Sequence, residues 1–258
     1  MAITIGIVGG TGGMGKWLAG VFKQEGYPVE VSGRTSGMPP EQMARTCNVV
    51  VIAVPLANTL ASIAAIGPHL PKGSLLMDIA SLKEKEVAAM LTSTSADVVG
   101  CHPLFGPRVR SLKERNIILC PARGKMWLEW LTDLFKKKGA TVTITTPTQH
   151  DEMMAVVQAL NHFHTLTMGL ALRGAGISLT ELSAYITPAF TTKIGLIEKV
   201  CANPHLYAEI IIGNPHAKRL IDDYVKLVGE QGSIVAQNDG EKLAKLIQKC
   251  QASLADFL

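Results

Sequence analysis

The apolar residues in the first part of the chain come in short runs that glycine, proline and polar residues separate. Unbroken hydrophobicity in such runs is typical of strands that helices cover on both faces. The runs predicted as strands cover residues 2–8, 29–32, 48–55, 73–79, 97–101, 116–120 and 141–145, with helical spacing at 16–22, 57–66 and 125–138. We therefore predict an α/β fold with an N-terminal Rossmann-type, doubly wound, mostly parallel sheet over residues 1–147.

The second part of the chain has a different pattern, in which apolar residues recur at helical spacing almost throughout. Residues 147–151 are predicted to be a link, and the predicted helices cover 152–173, 178–185, 188–202, 205–213, 215–230 and 240–257. Amphipathic helices in this number bury one another or the faces of a twin chain. We predict an all-helical substrate and dimerisation domain over residues 148–258.

A glycine-rich loop follows the first predicted strand and opens the first predicted helix. Gly10, Gly12 and Gly15 fit the G-x-G-x-x-G pattern in the context that dinucleotide binding requires. In this pattern, backbone N–H groups and the start of the helix hold a pyrophosphate. The predicted cofactor contacts in the loop are Gly10, Thr11, Gly12, Gly13, Met14 and Gly15.

The end of the second predicted strand bears on the choice of cofactor. Sites that select NAD usually place an acidic residue here, but no Asp or Glu lies between Ser32 and Pro40. Ser32, Arg34 and Thr35 instead offer hydroxyls and a guanidinium, which suit a 2′-phosphate. This favours NADP, with NAD as the alternative if Arg34 stacks on adenine or faces solvent.

Further candidate residues follow the other predicted strands. Val54 and Pro55, Ser81, Lys83 and His102 all come at strand ends, and ligands of such sheets bind beyond the carboxyl ends. His102 begins the segment HPLFGP, whose prolines and glycine restrict the backbone, and histidine suits proton transfer near neutral pH. The alternatives are an incidental histidine in a surface turn, a helix cap at Ser81 and a solvated Lys83.

Composition excludes several classes of function. The net charge is +4, and the densest cationic run, 136–138, ends a predicted helix, so we expect no nucleic-acid partner. Five cysteines without a CxxC pair indicate a reduced, cytoplasmic protein. The start of the chain is unlike a signal peptide, no apolar run approaches the length of a membrane span, and no metal-ligand spacing occurs.

Taken together, these motifs resemble the prephenate/arogenate dehydrogenase family of tyrosine biosynthesis. The resemblance lies in IVGGTGGMG, VIAVP, DIASLK, HPLFGP, QHDEMMAVVQALNHF and NPHLYAEII, and it covers nearly the whole chain. It implies oxidative decarboxylation of prephenate with hydride transfer to NAD(P)+, by an intertwined homodimer joined through the helical half. Because the chain has no room for a fused chorismate mutase or a regulatory domain, a monofunctional enzyme is expected.

The resemblance also implies roles for individual residues. His102 would accept the proton of the substrate hydroxyl, Ser81 would orient His102 or bridge to the nicotinamide, and His162 would face the substrate side chain; otherwise His162 is a core histidine. The family commonly has an arginine for the ring carboxylate where this chain has Lys199, which lacks the bidentate fork. Lys199 would bind more loosely, or Arg173 or Lys83 would hold this carboxylate.

Three other functions stay open from the sequence. Arogenate, which carries an amine in place of the keto group, is the alternative substrate. A reductase that moves hydride between a deazaflavin and NADP shares the glycine loop, but it has no reason to keep HPLFGP. A dinucleotide-sensing module without turnover is the non-enzyme alternative.

Overall fold

The computed structural model describes residues 3–255, apart from the side chains of residues 179 and 253–255. Ala2, predicted to lie in the first strand, and Asp256 and Phe257, predicted to lie in the last helix, are outside the described residues.

One seven-stranded sheet forms the centre of the first part of the described chain. Its order is β2-β1-β3-β4-β5-β6-β7, parallel from β2 to β5, with β6 antiparallel to β5 and β7 parallel to β6. The strands are β1 (Ile5–Val8), β2 (Val29–Ser32), β3 (Val49–Ile52), β4 (Leu75–Asp78), β5 (Asp97–Pro103), β6 (Asn116–Arg123) and β7 (Thr141–Ile144). The predicted mostly parallel Rossmann-type sheet is confirmed.

Helices cover both faces of this sheet, and the apolar core lies in two layers. Leu18, Phe22 and Leu131 are among the residues buried on one face, and Met43, Ile63 and Met90 are among those on the other. Burial on both faces explains why the strands are continuously apolar. The helices of this part are α1 (Gly13–Gln24), α2 (Pro40–Thr46), α3 (Leu56–Ile66), α4 (Glu84–Ser93) and α5 (Met126–Lys137).

The second part of the described chain is helical, as predicted. Its helices are α6 (Pro147–Met154), α7 (Asn161–Gly174), α8 (Leu179–Leu182), α9 (Pro188–Cys201), α10 (Pro204–Gly213), α11 (Ala217–Ala236) and α12 (Gly240–Ala255). None of the helices within residues 3–255 combines the length and hydropathy needed to cross a bilayer.

The interpretation of residues 147–151 as a link is wrong, because they form the first turns of α6. The Thr146 hydroxyl accepts a hydrogen bond from the Gln149 backbone N–H at 3.1 Å, and Pro147 takes the first helical position. A side-chain cap and a proline at this point both favour the start of a helix. The predicted helix over 152–173 is also interrupted, since a π-helical segment, Ala155–Leu160, joins α6 to α7.

Two carboxylates from the helical part bind the starts of helices that follow strands of the sheet. Asp151 accepts hydrogen bonds from the backbone N–H groups of Lys83, at 2.9 and 3.2 Å, and Glu84, at 3.0 Å, at the start of α4. Glu209 accepts one from Ala57 at 3.1 Å, at the start of α3. These contacts hold the helical part against the carboxyl edge of the sheet.

Candidate active site

A cavity of about 600 Å³ lies at the carboxyl edge of the sheet, beside the ends of β1, β2 and β3. This is the place where ligands bind in doubly wound folds, because the strand order changes direction there. Of the predicted cofactor residues, those that line the cavity are Thr11, Gly12, Ser32, Arg34, Val54 and Pro55. Gly10 and Thr35 lie in the adjoining loops, and Gly13, Met14 and Gly15 lie in the first turn of α1. None of these five residues lines the cavity.

The glycine loop has the shape of a phosphate cradle. A Cβ on Gly9, where φ is +83°, would lie 2.4 Å from the Ala53 carbonyl oxygen, and one on Gly15 would lie 2.3 Å from the Gly9 oxygen. Gly12 precedes α1 without a side-chain cap, and the first turn carries no acidic residue. N–H groups at such a helix start are open to an anion. The loop therefore fits the pyrophosphate of a dinucleotide.

The charge of the cavity matches the sequence-based expectation. Arg34 is exposed at its rim, and none of the described residues that line it is acidic. Glu30, the nearest preceding carboxylate in the sequence, is exposed on β2 and is not a lining residue. A phosphate at this end of the cavity would meet a guanidinium and no opposing carboxylate.

His102, on β5, begins a chain of three hydrogen-bonded side chains. Its Nδ1 lies 2.8 Å from Nε2 of His150, and Nδ1 of His150 lies 2.7 Å from Oδ1 of Asp151. An ionised carboxylate only accepts, so His150 donates from Nδ1 and accepts at Nε2. His102 then donates from Nδ1, which leaves the lone pair of its Nε2 for a ligand. We call this chain of His102, His150 and Asp151 the relay.

The relay is buried and firmly anchored. His102, His150 and Asp151 are 4%, 2% and 1% exposed. The Asp151 carboxylate is held by the start of α4, and its backbone carbonyl accepts a hydrogen bond from Nδ2 of Asn214 at 2.8 Å. Burial and anchoring leave the imidazole of His102 little freedom to rotate.

The environment of His102 keeps its imidazole neutral. Burial lowers the pKa of His102 well below its ordinary value of 6.5, and the nearby His150 and the Lys83 ammonium lower this pKa further. A histidine must be neutral to accept a proton. The geometry and the electrostatics of His102 thus both suit a general base.

Lys83 does not lie where the sequence analysis expected it. Its side chain is fully buried, and its ammonium binds the equally buried carboxylate of Asp78 on β4. Burial raises the pKa of Asp78 although Lys83 opposes this shift. A fully buried ammonium can neither contact the substrate nor face solvent. Both sequence-based interpretations of Lys83, as a substrate ligand and as a solvated lysine, are therefore wrong. Lys83 acts on the site through its charge, by lowering the pKa of His102.

Ser81 follows β4 and is half-buried. Its interpretation as a helix cap is wrong, because α4 begins three residues later, at Glu84, and Lys83 holds the capping position. Asp151 supplies the missing acceptor from the helical part. Proximity in the sequence favoured Ser81, whereas the acceptor used lies 68 residues away from Lys83.

His162 and Lys199 come together in the helical part. His162, on α7, is half-buried, and its ring meets that of Tyr207 edge-on at a centroid distance of 4.6 Å. Burial lowers the pKa of His162, and the charge of the exposed Lys199 on α9 lowers it further. A positive charge therefore lies close to His162.

Sequence reasoning missed two participants in this site. The sequence patterns assigned neither His150 nor Gln158 a role in the site. Gln158 lies on the π-helical segment Ala155–Leu160, and its Nε2 is 3.4 Å from Nε2 of His102. A π-helical segment often marks a functional position, but the sequence carries no clear sign of one.

Comparisons with known proteins agree with this organisation. Two family models match the chain, described as the nucleotide-binding domain of prephenate dehydrogenase, over residues 34–144, and its dimerization domain, over residues 146–249. The chain is 33% identical over 267 residues to a probable arogenate/prephenate dehydrogenase of Methanocaldococcus jannaschii, covering 96% of this chain and 60% of that protein. It is 30% identical over 252 residues to the T-protein of Haemophilus influenzae, covering 97% and 67%. The chain thus spans 60% to 67% of the length of these relatives.

A solved structure shares the fold. The prephenate dehydrogenase of A. aeolicus, in complex with hydroxyphenyl propionate and NAD+, aligns with a TM-score of 0.78 over 100% of this chain and 99% of that chain, at 16% identity.

Proposed function

Since this chain belongs to the prephenate/arogenate dehydrogenase family of oxidoreductases, we propose that it catalyses the oxidative decarboxylation of prephenate to 4-hydroxyphenylpyruvate, with NADP+ as the preferred hydride acceptor. The observation that carries the proposal is the relay, because it leaves Nε2 of the buried His102 without a proton and able to accept one. A binding module without turnover has no need of such a base.

The reaction needs a proton acceptor at the ring hydroxyl of the substrate. The substrate hydroxyl donates a hydrogen bond to Nε2 of His102 and passes its proton to the imidazole. The ring carbon that bears this hydroxyl loses a hydride. The ring carboxylate then leaves as carbon dioxide, and the electron pair of the broken carbon–carbon bond completes the aromatic ring. The phenolate oxygen takes a proton back from His102, which gives the phenol of the product. A positioned base contributes about 10²- to 10⁴-fold to the rate of such a step.

The relay stabilises His102 in both of its protonation states. Before the reaction, the hydrogen bond from Nδ1 to His150 selects the tautomer that accepts at Nε2. After the proton transfer, the carboxylate of Asp151 stabilises the imidazolium of His102 electrostatically, through the hydrogen bonds that His150 makes to both residues. This arrangement resembles the way in which a carboxylate orients a catalytic histidine in hydrolases.

The cavity beside β1 to β3 would hold the cofactor, which accepts hydride at its nicotinamide ring when bound. Gly12 and the start of α1 would bind the pyrophosphate, and Arg34, with Ser32 and Thr35, would bind a 2′-phosphate. Preference for NADP is supported by the exposed Arg34 and by the lack of an acidic side chain among the described lining residues. The further contacts proposed are Gly10, Thr11, Gly13, Met14, Gly15, Val54 and Pro55.

The substrate would bind between His102 and the helical part. We assign His162 to the pyruvyl side chain and Lys199, whose charge acts on His162, to a substrate carboxylate. Ser81 would orient His102 or bridge to the nicotinamide, as the second catalytic residue. Lys199 is a point charge without a fork, so its grip on the ring carboxylate is weaker than that of an arginine.

We further propose that residues 1–147 and 148–258 are two domains and that the second one pairs with its copy in a homodimer. Several large apolar side chains of the helical part are exposed in one chain, among them Leu170, Leu196, Val225, Leu227, Val228, Val235 and Ile247. Exposed apolar surface of this extent usually marks an interface.

The decisive experiment measures nicotinamide reduction by the purified protein with prephenate and with arogenate, each offered NAD+ and NADP+. We expect turnover with prephenate and a higher kcat/KM with NADP+ than with NAD+. Turnover with arogenate alone would replace the proposed substrate. A protein that binds NADP+ but is silent in all four combinations would be a binding module, and the proposal would be overturned.

A further inference from the structure

The side chain of Gln158 occupies the place where the free nitrogen of His102 would meet a ligand. Its Nε2 lies 3.4 Å from Nε2 of His102, the nitrogen that the relay leaves without a proton. This separation is longer than an ordinary hydrogen bond of about 2.9–3.0 Å, so the contact is weak and easily exchanged. Because His102 is itself buried, a group that approaches this nitrogen also approaches the amide of Gln158.

The carbonyl of the same amide has no partner within the described protein. Oε1 of Gln158 is buried and makes no hydrogen bond to any residue of 3–255. A buried acceptor without a donor lowers the stability of the folded protein, so proteins seldom keep one without a reason. Within the described residues, the side-chain amide of Gln158 therefore has its long contact with His102 on the nitrogen and no hydrogen bond on the oxygen.

The backbone around Gln158 explains its position. The segment Ala155–Leu160 is π-helical, and an additional residue in a helical turn changes the direction in which the following side chains point. Gln158 follows α6, which carries the relay residues His150 and Asp151, and it precedes His162 on α7 by one turn. The π-helical segment thus brings an amide to the base, one helical turn before the histidine assigned to the substrate side chain.

We propose that Gln158 is a catalytic residue whose side-chain amide donates a hydrogen bond to the substrate oxygen that His102 deprotonates. This inference rests on the proposed function. The substrate hydroxyl donates its hydrogen to Nε2 of His102, and the lone pairs of its oxygen accept from Nε2 of Gln158. Binding of substrate therefore replaces the direct contact between Gln158 and His102 by two contacts to one oxygen.

The amide acts on the transition state because charge develops on that oxygen. The proton passes to His102, the hydride leaves the ring carbon for the cofactor, and the carbon–oxygen bond becomes a carbonyl. Negative charge on the oxygen is largest where proton loss runs ahead of hydride loss. A donor already aimed at this atom lowers the barrier, whereas Gln158 itself neither gains nor loses a proton.

The contact between Gln158 and His102 makes the pKa of His102 a second readout of the role of Gln158. An N–H group that donates to the unprotonated nitrogen of His102 stabilises the neutral imidazole and so lowers its pKa. Removal of the amide should raise the pKa of His102, which the acid limb of kcat/KM reports for the free enzyme. If the role of Gln158 were purely structural, its substitution would leave the pH of this acid limb unchanged.

The test compares Gln158→Met, which keeps the length of the side chain but removes its hydrogen bonds, with the wild-type protein and with Gln42→Met at an exposed position of α2. With prephenate and NADP+, we expect kcat of Gln158→Met to fall about 10²-fold, as after loss of one oxyanion donor. The Kd of NADP+ and the Tm should stay unchanged, and the acid limb should move to higher pH. Gln158→Glu should move this limb further, because a carboxylate stabilises the imidazolium of His102.

Different results would separate this inference from the proposed function. A wild-type protein without turnover of prephenate or arogenate would overturn the function and the inference together. An active wild-type protein with an equally active Gln158→Met variant would overturn the inference alone. The inference would also be overturned if Gln158→Met lost activity together with a matching fall in Tm, while the acid limb of its remaining kcat/KM stayed at the wild-type pH.

Discussion

Nδ1 of His102 and Nε2 of His150 lie 2.8 Å apart and join the sheet to the helical part of the chain. His102 is on β5, and His150 is in α6, the first helix after the last strand of the sheet. The tautomer of His102 therefore depends on how closely the two parts are held together. The contacts of Asp151 with the start of α4 secure this arrangement.

The first prediction concerns His102 as the base. His102→Asn should lower turnover of prephenate by about 10²- to 10⁴-fold, because the amide cannot accept the proton. Since the cofactor cavity does not include His102 among its lining residues, the Kd of NADP+ should not change. Steady-state kinetics and a cofactor titration check both points, and an unaltered kcat would refute the assignment.

The second prediction concerns the orientation of His102 by the relay. In Asp151→Asn, the amide can donate to Nδ1 of His150. Nε2 of His150 would then donate to Nδ1 of His102, which leaves the proton of His102 on Nε2. We expect kcat to fall by at least about 10²-fold with little change in KM. Asp133→Asn, at an exposed position of α5, is the matched control. Normal kcat in a folded Asp151→Asn protein would show that the relay does not set the tautomer.

The third prediction concerns pH. The pKa of His102 lies well below 6.5, so kcat/KM should keep its full value through neutral pH and fall only in more acidic solution. The unfolded chain binds this proton near pH 6.5 and the folded chain only at lower pH. The contribution of His102 to the free energy of unfolding is thus complete above pH 6.5 and is lost as the pH falls through the folded-state pKa. A pH–rate profile whose acid limb lies above 6.5 would contradict this.

The fourth prediction concerns the cofactor. Arg34→Ala should weaken binding of NADP+ roughly 10- to 100-fold, since a hydrogen bond to a charged group is worth about 1.5–3 kcal/mol. Binding of NAD+, which lacks the 2′-phosphate, should change little. Lys72→Ala, in the exposed turn before β4 at the opposite edge of the sheet, is the control for general loss of positive charge. Equal losses for the two cofactors would remove Arg34 from the phosphate site.

Much of the fold follows from local patterns. The strands were predicted from their apolar runs because both faces of the sheet are buried, and the glycine loop was predicted because its turn needs residues without a Cβ. The prediction of a link at 147–151 was wrong, because a proline that follows a threonine is compatible with the start of a helix as well as with a loop. The π-helical segment has no comparable signature, so the predicted long helix missed the interruption.

The sequence by itself determined the class of the fold, the place of the dinucleotide loop and the identity of the candidate base, because each depends on residues close together in the chain. Only the tertiary structure decided which groups surround that base. Asp151 rather than Ser81 caps α4, Lys83 is buried against Asp78, and Gln158 reaches His102. The reason is physical: buried charges and hydrogen bonds need partners, and chain packing supplies them from positions far apart in the sequence.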